Sequence, residues 1–488
     1  MEERKGFGTN FGFLMASVGS AVGLGNIWGF PNKMGASGGF TFLIVYLVLA
    51  VLCGFIVMVS ELALGRKTGK GVVSAYQALS KRFKWVGWLG ILSPFFILFF
   101  YCALGGYCIK YTILNIGDLF HAGFGANALA ETAVANGHSL GAEVFGTFMA
   151  NPTEAVIFGL IFVALTMLIV MGGVSGGIEK VCSVGMPALF VMLLICIIRA
   201  CTLEGAVDGL KYMFVPGWAV TNGVIDKAPN FFGVLSAAGG QMFFSLSLGM
   251  GIMITYGSYL DKKENLQKNA LLIIVMDTLV ALMAGLCVIP GRFALDPTGS
   301  LGGPKLLFVT MQNVFSRMGP IGPIFGILFY LLVVFAAISS SISLLEAVVA
   351  HFVDNARDAG KGDKRKAYAL IGAVAVGVGA MLICADSLGD ASFTPWRLLN
   401  LPAESIRTWN DCWLDFFDML SEGIMMPLGA LMMTLMVGWE LGPDVVKDEC
   451  EASGHAMASY GFYKVCIKYI TPLCMILVLY GQIKEFFF

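Results

Sequence analysis

Runs of about 20 apolar residues recur along the whole chain, and each run is long enough to cross the hydrocarbon core of a bilayer. Only 13% of the 488 residues are charged, against about 25% in a soluble domain. Apolar runs of this length indicate helices, because a membrane barrel would show short strands of alternating hydrophobicity. The sequence therefore predicts an all-α polytopic membrane protein with one transmembrane domain over residues 1–488.

Charged or turn-rich segments divide the apolar runs into eleven candidate transmembrane helices. Their predicted bounds are residues 10–33, 40–64, 88–114, 154–172, 179–201, 231–259, 267–290, 321–352, 367–386, 413–439 and 461–483. Lys and Arg are concentrated in the connections 66–84 and 357–366, whereas residues 117–152 contain neither. The positive-inside rule then places the N-terminus in the cytoplasm and the C-terminus outside the cell. We expect a multi-pass protein of the plasma or inner membrane.

Charge and cysteine usage exclude some functions. A net charge of −1, without a basic cluster interleaved with aromatic residues, gives no indication of nucleic-acid binding. The twelve cysteines are scattered singly along the chain. We interpret them as small buried residues, with a disulfide between extracellular loops as the alternative.

Two of the predicted helices contain clusters of glycine, a poor helix former. These are "SVGSAVGLGNIWGFP" at residues 17–31 and "GGQMFFSLSLGMGIMITYGSY" at residues 239–259, about five spans further on. Interrupted helices at corresponding places in two halves are typical of inverted-repeat transporters that bind their substrate near the bilayer midplane. The alternative is that the glycines allow close helix packing.

Polar side chains at the depth of these glycines could complete a cation site, because oxygen atoms are the ligands that hard cations prefer. The candidates are Asn26, Ser245, Ser247, Asp277, Ser339, Ser340, Ser341 and Ser343. Asp277 is the most informative, since an acidic residue within a membrane span is costly and is by default functional. A structural hydrogen-bonding role is its alternative. We interpret Glu61 as a cap for backbone amides exposed by a neighbouring interrupted helix.

Four motifs, in order, resemble the neurotransmitter:sodium symporter family, specifically its bacterial amino-acid members. They are "GSAVGLGNIWGFP", "GGQMFFSLSLGMG", "FAAISSSIS" and "YITP". The resemblance implies a LeuT-type 5+5 inverted repeat with broken helices 1 and 6. Its first repeat would span residues 10–201 and its second residues 231–439, with an eleventh helix at 461–483. It also implies a sodium-coupled symporter that has no organic cofactor and is not an enzyme.

The resemblance implies two sodium sites and one substrate site. The first sodium site would use Ala21, Asn26, Ser245 and Asp277, and the second would use the carbonyls of Gly19, Val22 and Ala336 with the hydroxyls of Ser339 and Ser340. The substrate site would comprise Ser20, Ala21, Gly23, Leu24, Gly25, Ile97, Tyr101, Phe244, Ser245, Ser247, Met250, Ser340 and Leu344.

The residues at these positions also indicate the class of substrate. Family members that carry amines have Asp where this chain has Gly23, so the resemblance implies a substrate with a free carboxylate, a neutral amino acid. The side-chain pocket has no fixed charge, which favours hydrophobic or aromatic substrates. In having Met250 at this position, the chain resembles family members of broad hydrophobic specificity. An unbranched Met side chain can adapt its shape to different substrates. Asp277 would supply the negative charge that other members obtain from chloride, which predicts chloride-independent uptake.

The resemblance also assigns gates. Arg4 and Asp354 match a cytoplasmic ion pair of the family, with Phe7 and Tyr259 beside them. On the extracellular side, Gly29 replaces the usual Arg, which leaves Asp418 without that partner and predicts closure by Tyr101 and Phe244. The predicted partners are a neutral amino acid and the lipid bilayer, and the oligomeric state is left open.

Two other classes of function compete with transport. An amino-acid sensor would normally carry an additional signalling domain, and the sequence shows none. An intramembrane enzyme would need catalytic groups within reach of one another, whereas all four histidines fall in or beside connections. The sequence therefore favours transport.

Overall fold

The computed structural model describes residues 7–300, 303–362, 364–390, 393–398, 400 and 411–487, and all regular structure in this part is helical. The helices used below are α1 (Asn10–Ala21), α2 (Gly25–Ala36), α3 (Phe40–Thr68), α4 (Val72–Leu79), α5 (Val86–Leu119), α6 (Ala130–Asn136), α7 (Leu140–Met149), α8 (Pro152–Met171), α9 (Val174–Cys201), α10 (Ala206–Phe214), α11 (Trp218–Thr221), α12 (Phe231–Ser245), α13 (Ile252–Gly257), α14 (Leu266–Leu295), α15 (Met311–Arg317), α16 (Gly322–Asp358), α17 (Arg365–Asp386), α18 (Trp413–Leu441), α19 (Asp444–Glu451) and α20 (Tyr460–Lys484).

The apolar helices agree with the predicted spans. In the described ranges, nine helices are long and apolar enough to cross a membrane, and α1 with α2 forms a tenth span bent by 44°. The predicted sixth span is divided into α12 of 15 residues and α13 of 6 residues, each too short to cross a membrane alone. The prediction of an all-α fold with interruptions in its first and sixth spans is confirmed.

The long helices α5 and α16 are joined to their neighbours by close backbone contact. A Cβ atom added at Gly106 of α5 would lie 2.5 Å from the backbone nitrogen of Gly159 and 2.5 Å from the carbonyl carbon of Phe158, both in α8. Small residues at such crossings let membrane helices approach closely. The resulting van der Waals contacts stabilise helix pairs in lipid, where the hydrophobic effect does not drive helices together. Gly106 therefore serves close helix packing, which is the alternative role considered above for the glycine clusters. Gly106 itself lies outside the two interrupted spans.

The cysteines are small buried residues, as interpreted from the sequence. All twelve are free, and ten of them are buried. The alternative of a disulfide between extracellular loops is wrong.

We predict that Gly106→Ala destabilises the protein, because the added methyl group overlaps the backbone of α8. Overpacking of this kind costs about 1–3 kcal/mol. The matched control is Gly146→Ala in α7, where the added Cβ would meet no described atom within 4 Å and where Ala favours the helix. Thermal unfolding of the detergent-purified variants measures the effect. Equal melting temperatures for Gly106→Ala and the wild type would contradict this packing.

Candidate functional site

The first span is interrupted close to the middle of the protein. Helix α1 ends at Ala21, Val22 has an extended backbone (φ −78°, ψ 97°), and α2 begins at Gly25. The buried N–H groups of Gly23 and Leu24 have left the helical pattern and donate instead to Asn26 Oδ1 (3.0 Å) and to the Tyr101 hydroxyl (2.7 Å). Such groups are tolerated at membrane depth only where protein or a polar cavity supplies partners.

Serines of α16 face the C-terminal carbonyl groups of α1. The Ser340 hydroxyl lies 3.2 Å from the carbonyl oxygen of Gly19 and 3.0 Å from that of Ser20. The Ser339 hydroxyl lies 3.4 Å from the carbonyl of Val22 and 3.0 Å from that of Ala336. The structure therefore brings together all five residues predicted for the second sodium site. Three carbonyls and two hydroxyls make a cluster of neutral oxygen atoms, which is suitable chemistry for a hard cation.

Asp277 lies in the middle of α14, fully buried, and it contacts three other spans. Asn26 Nδ2 donates to Asp277 Oδ1 (2.7 Å), the Ser245 hydroxyl lies 3.0 Å from both carboxylate oxygens, and the Tyr46 hydroxyl lies 3.2 Å from Oδ2. Asn26, Ser245 and Asp277, which are predicted for the first sodium site, thus meet at one point. Ala21, the fourth predicted ligand, lines the adjoining cavity.

A small cavity lies between the two interrupted spans. It is lined by Ser20, Ala21, Gly25, Ile97, Tyr101, Phe244, Ser247, Met250, Ser340 and Leu344, all of which are predicted substrate residues. Its volume is about 10 Å³, which is space for about one water molecule. In this conformation the cavity is therefore contracted, too small to hold an amino acid.

The other predicted substrate residues adjoin this cavity. The backbone N–H of Leu24 donates to the Tyr101 hydroxyl (2.7 Å), and Ser245 is one of the contacts of Asp277. A Cβ atom added at Gly23 would lie 2.1 Å from the Tyr101 hydroxyl and 2.2 Å from Ser340 Oγ. A side chain at position 23 would therefore require the Tyr101 hydroxyl and Ser340 Oγ to shift from the positions they have here.

The sixth span is interrupted between α12 and α13, where Gly249 and Gly251 have positive φ angles of 75° and 72°. The backbone N–H of Gly249 donates to Glu61 Oε1 (2.8 Å). Glu61 belongs to α3, so one helix supplies an acceptor to the freed amide of another. The interpretation of Glu61 as a cap for an interrupted helix is confirmed.

Of the predicted cytoplasmic gate residues, Phe7 and Tyr259 contact each other beside the beginning of α1, and Asp354 contacts the segment before α4. Arg4 is outside the described residues. The ring of Phe7 packs edge-on against that of Tyr259, with centroids 6.1 Å apart. Asp354 Oδ2 accepts a hydrogen bond from the backbone N–H of Gly71 (3.0 Å). Tyr259 also donates to Glu346 Oε1 (2.6 Å), a buried carboxylate of α16 that the sequence reasoning missed.

At the predicted outer gate, the structure adds an ion pair that the sequence reasoning also missed. Lys33 of α2 pairs with Glu422 of α18, and Lys33 lies one helical turn after Gly29. Glu422 lies one turn after Asp418. The sequence did contain a signal for this pair, because Lys33 is a cation on the same helix as Gly29, the position where the family usually has Arg. Tyr101 and Phe244 lie close together as predicted, with ring centroids 6.4 Å apart.

The sequence matches the model of the sodium:neurotransmitter symporter family over residues 4–121 and 151–394. The chain belongs to this family. It is therefore a sodium-dependent symporter and an integral membrane protein, and it is not an enzyme.

Curated relatives and a solved structure agree. An uncharacterised sodium-dependent transporter of Bacillus subtilis, YhdH, is 32% identical over 483 residues, which cover 96% of each chain. Another, from Methanocaldococcus jannaschii, is 29% identical over 91% of this chain and 84% of its own. The crystal structure of MhsT in complex with L-phenylalanine superposes with a TM-score of 0.81 and 31% identity, covering 98% of this chain and 100% of that one. The similarity extends over the whole LeuT-type fold.

We predict that Glu61→Leu destabilises the protein whereas Glu61→Gln largely preserves it. Leu leaves the buried N–H of Gly249 without an acceptor, which costs about 1–3 kcal/mol, whereas Gln retains an acceptor oxygen at the same reach. Thermal unfolding of the two purified variants measures the difference. If both variants melt with the wild type, Glu61 does not cap the interruption.

Proposed function

We propose that the protein imports neutral hydrophobic and aromatic L-amino acids by alternating access, coupled to sodium. The observation that carries this proposal is the small cavity between the interrupted helices, whose lining residues are all predicted substrate residues and which lies beside two clusters of oxygen ligands. A site of this kind binds and releases cargo and has no group that would do chemistry on it.

The amino-acid backbone would bind at the first interruption. The N–H groups of Leu24 and Gly25 and the hydroxyl of Tyr101 supply donors for the substrate carboxylate, and the Leu24 N–H and Tyr101 hydroxyl lie 2.7 Å apart. Backbone amides at a helix N-terminus are favourable partners for an anion. The side chain would face Ile97, Met250 and Leu344, where a charged group would be unpaired.

Two sodium ions would bind beside the substrate. We assign the first to Ala21, Asn26, Ser245 and Asp277, where the substrate carboxylate becomes a further ligand. We assign the second to the carbonyls of Gly19, Val22 and Ala336 and the hydroxyls of Ser339 and Ser340. Both sites join α1 to another helix, so ion binding would favour a closed arrangement of these helices.

Uptake would not require chloride. The hydroxyls of Tyr46 and Ser245, which chloride-dependent members would direct at the anion, point at the carboxylate of Asp277. That carboxylate already places a negative charge beside the first sodium site. A chloride ion there would be repelled by Asp277 at close range.

One bundle of helices would rock against the rest of the protein; it comprises α1, α2, α3, α12, α13 and α14. The two inverted repeats would span residues 10–201 and 231–439, followed by the final helix at 461–483. The N-terminus would lie in the cytoplasm and the C-terminus outside, in the plasma or inner membrane. Each positive charge that moves inward across 100 mV contributes about 2.3 kcal/mol, so the sodium gradient can concentrate the substrate. Phe7, Tyr259, Asp354 and Arg4 would close the cytoplasmic side.

The central experiment is uptake of radiolabelled leucine, phenylalanine or tryptophan into proteoliposomes. We expect an inward sodium gradient to stimulate uptake, and equal potassium to give none. Unlabelled neutral amino acids should compete, whereas lysine and glutamate should not, because the pocket offers no partner for their charge. Absence of sodium-stimulated uptake of every neutral amino acid would overturn the proposal.

We predict that replacing chloride with gluconate leaves wild-type uptake unchanged, and that Asp277→Asn raises the sodium concentration for half-maximal uptake about tenfold or more, because a charged ligand is lost. Added chloride should partly restore uptake in this variant. Asp208→Asn, which changes an exposed carboxylate paired with Lys211, is the charge-matched control. A chloride requirement of the wild type, or an Asp277→Asn variant whose uptake chloride does not restore, would contradict this account.

A further inference from the structure

A second cavity lies at the end of α5, away from the central one. It has a volume of about 290 Å³ and is lined by residues between 115 and 127, from α5 and the segment after it, and between 312 and 323, from α15 to the beginning of α16. Pockets for small molecules have volumes of about 300–1,000 Å³. Its lining residues are all different from those of the central cavity. We call it the α5–α15 cavity.

Hydrogen bonds hold the sides of the α5–α15 cavity together. Asn115 Nδ2 of α5 donates to Gln312 Oε1 of α15 (3.0 Å), and both residues are 1% exposed. The backbone N–H of Asn127, in the segment after α5, donates to Asp118 Oδ1 (2.7 Å). Asn127 and His121 are exposed lining residues, so the cavity is open to the surface. The α5–α15 cavity is therefore already formed and reachable from outside the protein.

Asp118 brings a carboxylate to this cavity. The residue is only 5% exposed, and in the described ranges no group donates a hydrogen bond to its Oδ2. No Lys, Arg or His nitrogen of the described residues lies within 4.0 Å of the carboxylate, and residues 117–152 contain no Lys or Arg. His121 also lines the cavity, and a histidine is ordinarily neutral at about pH 8. A buried carboxylate without a cation is unfavourable, so the cavity favours a positively charged ligand.

The rest of the lining indicates an organic cation. Leu119, Phe315 and Pro323 form an apolar part of the wall, which a bare metal ion would leave facing water. Among the residues that the structure describes, no group of three or more His, Cys, Asp or Glu could hold a metal ion. A primary ammonium group on a hydrocarbon body suits both parts of the wall, because it combines a charge with apolar surface.

The cavity also has acceptors for the three N–H groups of a primary ammonium. Asp118 Oδ2 is the charged one. The Ser316 hydroxyl donates its hydrogen to the carbonyl of Asn313 (2.9 Å), which leaves its acceptor positions unused. The side-chain oxygen of Asn127 accepts from no described residue. The volume leaves room for water molecules on the N–H groups of Gln312.

From this lining we infer that the α5–α15 cavity is a second binding site, which takes small amines with a hydrocarbon body. The ammonium group binds Asp118, and the hydrocarbon lies against Leu119, Phe315 and Pro323. An amino acid also has an ammonium group, but its carboxylate would lie close to that of Asp118 and be repelled. The site therefore favours amines that lack a carboxylate, whereas the substrate proposed for the central cavity carries one. The inference does not depend on what the central cavity transports.

The test measures binding of tritiated phenethylamine to the detergent-purified full chain at about pH 8, where histidine is ordinarily neutral. Binding is measured in potassium chloride, and again in sodium chloride with saturating leucine. We expect the same affinity in both, because the amine does not occupy the central cavity. Unlabelled isoamylamine should compete. Phenylethanol, which lacks the charge, and phenylalanine, which adds a carboxylate, should compete about tenfold or more weakly, and magnesium chloride should not compete.

Asp118→Asn is the decisive variant, because Asn keeps an acceptor for the backbone N–H of Asn127 and removes only the charge. We expect it to weaken phenethylamine binding about tenfold or more. Asn127→Ala removes an exposed side chain and a neutral acceptor, and should weaken binding about threefold. The matched control is Asp208→Asn, an exposed carboxylate paired with Lys211, which should stay within about twofold of the wild type.

Each contrary result overturns the inference. No saturable binding of phenethylamine to the wild type would do so, as would full affinity in both Asp118→Asn and Asn127→Ala. Equal competition by phenylethanol would indicate simple apolar binding, and equal competition by phenylalanine would indicate an amino-acid site. Loss of binding when leucine fills the central cavity would place the amine there. Sodium-driven uptake tests the proposed function separately, so either can fail while the other stands.

Discussion

A helix that is interrupted inside a bilayer exposes backbone groups that lipid cannot pair, and the partners must come from the protein itself. In this transporter they come from separate helices: Glu61 of α3 accepts from Gly249, serines of α16 donate to carbonyls of α1, and Tyr101 of α5 accepts from Leu24. Each interruption therefore depends on its neighbours for stability. The α16 hydroxyls and the α1 carbonyls also suit a hard cation, so these stabilising groups are at the same time groups of the proposed second sodium site.

Features within a short stretch of sequence could be predicted. Glycines among apolar residues indicate an interruption wherever they occur, and the cost of a buried acid singles out Asp277 and Glu61 before any contact is known. Most of the residues that line the central cavity follow from the motifs at the two interruptions, together with Tyr101 and the serines of α16. The structure adds which of them meet, for example that Asp277 receives hydrogen bonds from both α2 and α12.

Contacts that join distant segments could not be predicted in the same way. Lys33 and Glu422 lie on separate helices, α2 and α18, and no sequence pattern distinguishes such a pair from two solvated groups. Glu346, which pairs with Arg365, is acidic like Glu61, but its partners follow only from the packing of α16 against α17. The left-handed backbone of Ser247 could not be predicted either, because serine gives no sequence signal for a positive φ angle.

The contracted cavity has an electrical consequence. With about 10 Å³ of space between the interrupted spans, the described residues around the cavity leave room for about one water molecule. A single water cannot form a file that conducts ions across the membrane. In this conformation the space between the interrupted spans is too small for a hydrated sodium ion, so sodium would enter or leave the centre of the protein only when the helices move.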